Sequence, residues 1–220
     1  MSPPSRSRLV EVLLDRHGQT YAAEARIRLP SDPTPSPLYR LLCLATLLSA
    51  RVRADAAVEA TRALSAAGWR SAGSMADSTW EQRVKVLNEN GYARYDESTA
   101  RMLGDTAEML LDRWGGDLRC LRREADGDVE QVRELLQDAK GIGDVGANIF
   151  CREVQGVWPE VRPFLDEKAL GAADDLGLGR DRDGVAGLVP GDRLPELAAA
   201  LVRAALADDL DEIGARASER

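Results

Sequence analysis

Ala139-Lys140-Gly141-Ile142-Gly143-Asp144-Val145-Gly146 is the stretch of sequence that decides the fold. It separates two segments, 128–137 and 147–154, whose apolar residues recur at helical spacing. Glycines on both sides of Ile142 allow a sharp turn and a close approach to another surface, and Ile142 is expected to fill the turn's core side. The pattern therefore predicts a helical hairpin whose second helix presents its first amides to solvent, an arrangement suited to a phosphate oxygen. By itself, it is equally typical of an ordinary pair of helices joined by a glycine turn.

Outward from the hairpin, apolar residues keep helical spacing and do not alternate as in a strand. The proline-rich segment 30–37 predicts an extended linker, 177–190 a charged loop, and the residues after 206 a polar tail. Met1–Arg8 is expected to be a flexible tail. The fold class is therefore predicted to be all-α. Outside the hairpin, helices are expected at 9–16, 38–50, 55–67, 79–88, 96–114, 166–176 and 194–206.

Composition excludes several classes of protein. Of the 220 residues, 44% are hydrophobic and 30% are charged, which is typical of a globular protein rather than a disordered one. The longest apolar run, 41–50, is too short to cross a bilayer, and no apolar segment precedes a cleavage site. We therefore expect no membrane partner and a cytoplasmic location, associated with the nucleoid if the source is bacterial.

Histidine and cysteine usage argues against a metal site. His17 is the only histidine, which excludes histidine-rich metal centres and makes a histidine-based triad improbable. Cys43, Cys120 and Cys151 are too far apart for metal-ligand spacing and are expected to be reduced thiols. No metal is predicted from these residue types.

The charge distribution leaves room for a phosphate-binding face. The net charge is −8, which argues weakly against nucleic-acid binding. Residues 1–54 nevertheless carry eight arginines against four acidic residues. A local basic face can bind phosphate in an acidic protein, although strong non-specific DNA binding is not expected.

Three further landmarks accompany the hairpin. Leu47-Leu48-Ser49-Ala50-Arg51 and Asn90-Gly91-Tyr92 precede it, and Asp166 follows Gly156-Val157-Trp158-Pro159. In this order and rough spacing, the four features resemble the endonuclease III superfamily of helix-hairpin-helix DNA glycosylases. The resemblance extends over residues 38–176 and is more specific than the hairpin alone.

The resemblance implies two helical lobes. The first, 36–157, would be a helical barrel carrying the helix-hairpin-helix at 128–155. The second would combine residues 1–35 with 158–220.

The resemblance also implies roles for individual residues, with double-stranded DNA as the partner. Arg51 and Arg53 would follow the leucine-rich helix into the duplex, although solvated surface charge is a comparable interpretation. Asp166 would be the catalytic carboxylate that stabilises a sugar cation, or it caps the helix after it, or both. The residues expected to bind DNA are Lys140, Gly141, Ile142, Gly143, Val145, Gly146, Arg51 and Arg53.

The chain departs from the family in ways that constrain its chemistry. Val145 occupies the position of the lysine that forms a Schiff base in bifunctional members. Lys140 and Lys168 flank the motif without matching that position. No cysteine follows Cys151, so the family's iron–sulfur cluster is not expected, nor is any other cofactor. As in the family, backbone carbonyls of 139–143 would hold a monovalent cation beside DNA.

Three functions follow from this sequence. The first is a monofunctional DNA glycosylase that cleaves the N-glycosidic bond of a flipped damaged or mispaired base and lacks lyase activity. The alternative is a helix-hairpin-helix protein that binds DNA without chemistry. A helical scaffold for protein interaction is the third, against which the intact glycines of the hairpin argue.

Overall fold

The computed structural model describes residues 4–219, and within that range it contains helices and no β-strand. The prediction of an all-α fold class is therefore confirmed. Residues 1–3, in the expected tail, and residue 220, at the end of the expected second lobe, lie outside the described residues. No helix between residues 4 and 219 is long and apolar enough to cross a membrane.

The helices of the described range follow one another with short connections. Two 3-10 turns, Pro159–Val161 and Gly191–Arg193, lie between them. In chain order the helices are α1 (Arg6–His17), α2 (Tyr21–Glu24), α3 (Pro35–Ser49), α4 (Ala54–Ala66), α5 (Ala72–Ala76), α6 (Trp80–Glu89), α7 (Asp96–Trp114), α8 (Leu118–Glu124), α9 (Val129–Gln137), α10 (Asp144–Val154), α11 (Glu167–Asp175), α12 (Arg182–Ala186), α13 (Leu194–Ala207) and α14 (Leu210–Ser218).

The chain divides into two compact units. Unit 1 comprises the described residues of Met1–Tyr21 and Arg152–Arg220, and unit 2 comprises Ala22–Cys151. Unit 1 thus joins the two ends of the chain, and unit 2 contains the hairpin.

Unit 2 is built around α3. Every residue from Leu38 to Leu47 is buried except Arg40, which is half-buried. Such a helix is apolar almost all round and needs neighbours on every side, which α4, α7 and α8 provide. The helix begins at Pro35, inside the segment expected to be an extended linker, because proline is compatible with the first turn, where no N–H acceptor is required.

Unit 1 is built around α13, which packs against α1 and α11. Nine of its fourteen residues are buried, because alanines at many positions allow close approach on several sides. His17 is the last residue of α1, as expected for a helix end, and its Nε2 lies 2.6 Å from the Asp209 carboxylate.

The two units meet the chain at boundaries different from those predicted from the sequence. Residues 22–35, expected in the second lobe, belong to unit 2, because Arg40 and Arg62 donate to the Arg26 and Glu24 carbonyls. Residues 152–157, expected in the barrel, belong to unit 1, where Gln155 binds the backbone of Phe164.

Three segments expected to be irregular contain helix. The charged loop 177–190 contains α12, because the Asp181 carboxylate caps it and Val185 anchors it in the core of unit 1. The expected tail after 206 contains α14, which buries Ile213 in the same core. At the other end, α1 begins at Arg6, within the expected N-terminal tail, and Ser5 caps it.

Candidate nucleic-acid interface

The hairpin of unit 2 consists of α9, the turn 138–143 and α10. Gly141 adopts φ +85°, a left-handed conformation that costs an L-residue with a Cβ free energy. The Ile142 amide donates to the Ala139 carbonyl at 3.0 Å, and the Ala147 amide donates to the Gly143 carbonyl at 3.0 Å as α10 begins. The sequence prediction of a sharp glycine turn between two helices is therefore confirmed.

The inner side of the turn packs tightly on α3 and α7. A Cβ on Gly141 would lie 2.6 Å from the Met102 sulfur and 3.4 Å from the Thr46 methyl group. The Thr106 hydroxyl donates to the Lys140 carbonyl at 3.3 Å, and the Ile142 side chain is 5% exposed. These contacts fix the turn, so its outer side has one orientation relative to unit 2.

The outer side presents unpaired backbone donors. No described residue accepts a hydrogen bond from the amides of Gly143, Asp144, Val145 or Gly146. They lie at the N-terminal end of an eleven-residue helix, where the helix dipole adds partial positive charge. Val145 is 61% exposed beside them, a large exposure for an apolar side chain. This end of α10 is suited to an anionic oxygen next to an apolar contact.

The acidic residues around the hairpin are neutralised by arginines. The Arg133 guanidinium lies 3.4 Å from the Asp144 carboxylate and also donates to Asn148 at 3.1 Å, joining α9 to α10. Arg113 pairs with Asp138 just before the turn. Both pairs reduce the repulsion that these carboxylates would exert on a phosphate group.

The end of α3 lies against the start of α10. A Cβ on Gly146 would be 2.7 Å from the Ser49 hydroxyl oxygen. The Tyr92 hydroxyl donates to the Leu47 carbonyl at 2.9 Å, one turn earlier on α3. Arg51 is exposed two residues beyond Ser49. Three of the four sequence landmarks therefore meet within unit 2.

The residues predicted to bind DNA differ in what they can offer. Lys140, Val145 and Arg51 are exposed. Arg53 is also exposed, but its guanidinium pairs with Asp55 at 2.6 Å and holds the pKa of that carboxyl below its ordinary value. Gly141 and Gly143 are exposed as well.

Two predicted contact residues need correction. The Ile142 and Gly146 side-chain positions are buried, because Ile142 fills the turn and Gly146 faces Ser49. Only their backbone atoms remain available to a ligand.

The carbonyl oxygens of the turn are unequally available to a cation. Those of Ala139, Lys140 and Gly143 already accept hydrogen bonds from the protein. No described residue donates to the carbonyls of Gly141 or Ile142, so these two oxygens would hold a monovalent cation. Among residues 4–219, no cluster of three or more histidine, cysteine, aspartate or glutamate residues could hold a metal ion.

Asp166, the fourth landmark, lies in unit 1, and both of its carboxylate oxygens have partners. One oxygen accepts from the Ala169 amide at 3.0 Å and caps α11, as the sequence suggested. The other lies 2.5 Å from a guanidinium nitrogen of Arg152. Each side chain is 10% exposed, so the carboxylate has a fixed orientation and a neutralised charge.

Comparisons with known proteins return two solved structures of interest. No family model matches this chain, and no curated protein matches it. The chain is similar to a trapped endonuclease III–DNA covalent intermediate, an estranged-adenine complex, with a TM-score of 0.48 and 15% identity over 91% of this chain and 86% of that one. It is also similar to a non-covalent endonuclease III–DNA complex, with a TM-score of 0.49 and 16% identity over the same shares. Similarity this low assigns no activity to this chain.

Sequence reasoning missed the residues that hold the site together. Arg152 is buried against Asp166, and Met102 and Thr106 support the turn from α7. One signal was available for Arg152: it stands in the otherwise apolar stretch 147–157, where a charged residue requires a buried partner. The identity of that partner was not readable from the spacing.

Proposed function

We propose that this protein binds double-stranded DNA through the hairpin 139–146 and removes a base from it as a monofunctional DNA glycosylase. The observation that carries the DNA-binding step is the row of unpaired amides at the start of α10. A phosphate oxygen would accept from them, with Lys140 and Arg51 adding positive charge nearby. Such contacts read the backbone and not the base sequence.

The chemistry proposed for Asp166 is stabilisation of a sugar cation. The target base must first leave the stack, because its glycosidic bond is unreachable inside a duplex. As the bond from C1′ to the base nitrogen breaks, its electron pair leaves with the base and positive charge develops on the sugar. A carboxylate held in one orientation lowers the energy of that charge. Water then forms the new bond to C1′ and releases a proton.

Strand cleavage is not part of the proposal. A lyase step begins with a lysine amine that forms a Schiff base at C1′. Val145 stands at the corresponding position and has no nucleophile. The proposed product is therefore an intact strand with an abasic site.

A second candidate, DNA binding without chemistry, is favoured by the contact between Arg152 and Asp166. A guanidinium at 2.5 Å offsets the carboxylate's charge, which weakens its attraction for a developing cation. This candidate shares the hairpin and differs only in the absence of base excision.

Replacing Val145 with glutamate tests the DNA-binding step. The added carboxylate would lie beside the unpaired amides, where it repels a phosphate and competes for its donors. We expect the affinity for duplex DNA, measured by fluorescence anisotropy in low salt, to fall by about tenfold or more. Glutamate in a first helical turn favours the helix, so the fold should be unaffected.

Leu206→Glu is the matched control, because Leu206 is an apolar residue of unit 1 with 58% exposure. It introduces the same charge far along the chain and should leave affinity close to that of the wild type. Equal losses in the two variants would indicate a general effect of net charge and would remove support for the hairpin site.

Single-turnover excision with Asp166→Asn tests the chemistry. Duplexes each carrying one uracil, oxidised, alkylated or mismatched base would be incubated with the wild type and the variant, and products read with and without alkali. We expect excision that needs alkali for strand scission, and a loss of about 100-fold or more in the variant. Glu167→Gln, an acid-to-amide change at the exposed neighbouring residue, should retain activity.

Asp166→Asn also leaves the Arg152 cation without its partner, so the assay is run where circular dichroism shows each variant folded. Arg152→Met perturbs the same contact but keeps the carboxylate. If Asp166 has only a structural role, the two variants should lose activity in proportion to their loss of stability. Duplex binding without excision of any base by the wild type would favour the second candidate.

A further inference from the structure

Unit 2 contains a pocket of about 680 Å³ that the hairpin does not share. It is bounded by the segment before α3, by α3 and α4, by the residues after α4 and by the end of α6. Pockets of this size accommodate small-molecule ligands. No aromatic side chain is among the described residues that line it.

The pocket carries an excess of positive charge. Arg26, Arg40, Arg62 and Arg70 line it together with one carboxylate, that of Glu59. Glu59 pairs with Arg62 at 3.0 Å. Within residues 4–219, the other three guanidiniums have no carboxylate partner. The described lining therefore has a formal charge of three positive units in excess.

Neutral groups, not anions, hold the unpaired arginines. Arg40 donates to the Ser65 hydroxyl at 2.9 Å and to the Arg26 carbonyl at 3.0 Å. Arg70 donates to the Ser65 carbonyl at 2.8 Å. Burial and the neighbouring charge of Arg70 lower the pKa of Arg40. Such a cluster is preorganised for an anion, because binding would relieve repulsion between fixed cations.

Arg26 supplies independent evidence of a constrained position. Its backbone adopts φ 57°, in the left-handed region where residues other than glycine, asparagine and aspartate are uncommon. The Arg26 carbonyl accepts from Arg40, so this conformation is tied to the pocket. Arginine at a position that glycine adopts at lower cost indicates that the side chain contributes something there.

The pocket and the hairpin lie on different faces of α3. Arg40 and Ser49 are nine residues apart, which at 100° per residue is half a revolution about the helix axis. Ser49 faces Gly146 of the hairpin, whereas Arg40 faces the pocket. A phosphate bound at α10 would therefore not reach the arginine cluster.

We propose that this pocket binds the diphosphate or triphosphate group of a small molecule. Guanidiniums match phosphate oxygens with paired, charge-assisted hydrogen bonds, and three uncompensated charges suit a compact polyanion better than a single phosphate. The absence of aromatic residues among those described in the lining argues against recognition through base stacking. A free pyrophosphate and the phosphate chain of a nucleotide share this chemistry.

Isothermal titration calorimetry of the full chain with pyrophosphate, tripolyphosphate, ADP, ATP, AMP and sulfate tests the site. The key variant is R26G/R70Q, in which glycine suits the left-handed backbone and neither replaced side chain pairs with a described carboxylate. We expect pyrophosphate binding at least about tenfold weaker in this variant. R101Q/R182Q is the control: it removes two exposed arginines elsewhere and should bind as the wild type does. Glu59→Gln should bind several-fold more tightly, because it removes the pocket's carboxylate.

The remaining ligands identify the source and the limits of the site. Equal binding of pyrophosphate and ADP would indicate recognition of the phosphates alone, and tighter binding of ADP would indicate a nucleotide. Sulfate and AMP should bind at least about tenfold more weakly than pyrophosphate. The proposal is overturned if the wild type does not bind pyrophosphate, or if R26G/R70Q and R101Q/R182Q weaken it equally. It is also overturned if R26G/R70Q weakens only duplex DNA binding, which would make the cluster part of a DNA surface.

Discussion

Arg152→Met should lower the free energy of unfolding by about 3 kcal/mol, because it leaves the Asp166 carboxylate buried without its cation. The two side chains are each 10% exposed and their charged atoms lie 2.5 Å apart. Methionine retains most of the volume, so lost packing contributes little. Urea denaturation followed by circular dichroism measures the change, provided that the slope with denaturant is that of the wild type.

The double variant Arg152→Met/Asp166→Asn separates charge from packing. The asparagine amide oxygen can still accept from Ala169, and no buried charge is left unpaired. We expect the double variant to be more stable than Arg152→Met alone. Arg180→Met, which breaks the exposed pair with Glu167 in the same unit, should leave stability close to that of the wild type. A small effect of Arg152→Met, equal to that of Arg180→Met, would contradict the role assigned to the buried pair.

Gly141→Ala should destabilise the hairpin by about 1–3 kcal/mol, with two physical causes. Its φ of +85° disfavours any residue with a Cβ, and that Cβ would lie 2.6 Å from the Met102 sulfur. Relief of the contact would move either Met102 or the turn. Because the turn orients the unpaired amides of α10, we also expect weaker duplex binding than the unfolded fraction accounts for. Thermal denaturation and anisotropy with the same duplex measure both effects.

Gly143→Ala is the matched control two residues away. Gly143 has no positive φ, and a Cβ there would meet no atom within 4 Å. Its stability should change by less than about 0.5 kcal/mol. Adding Met102→Ala to Gly141→Ala tests the steric cause, since it removes the sulfur but not the backbone strain. Equal stability of the two alanine variants would contradict the assignment of the left-handed, tightly packed position to Gly141.

The ion pair and the glycine bear on the same functional question from different units. Asp166 is fixed by contacts of unit 1, whereas the amide row of α10 is fixed by contacts of unit 2. Loss of duplex binding with intact excision chemistry is therefore expected from changes in the hairpin. Loss of excision with intact binding is expected from changes at Asp166. This separation lets the glycosylase and the non-catalytic proposals be tested independently.

The all-α class, the long helices and the glycine hairpin were readable from the sequence because each depends on local chemistry. Helical spacing predicted α7 with the bounds observed, and two glycines around Ile142 predicted the turn. The missed helices α12 and α14 are short and polar on most of their surface. Their stability comes from Val185 and Ile213 packing into a core assembled from both ends of the chain.

The sequence by itself determined which chemical groups are present: one histidine, a carboxylate at 166, and valine in place of a lysine at 145. Only the tertiary structure decided which of them meet. Asp166 is joined to Arg152, and Arg40 lies with Arg26 and Arg70 in one pocket, although no spacing rule connects these positions. The physical reason is that the free energy of a charge depends on its burial and its partners, and these depend on contacts between residues distant in the chain.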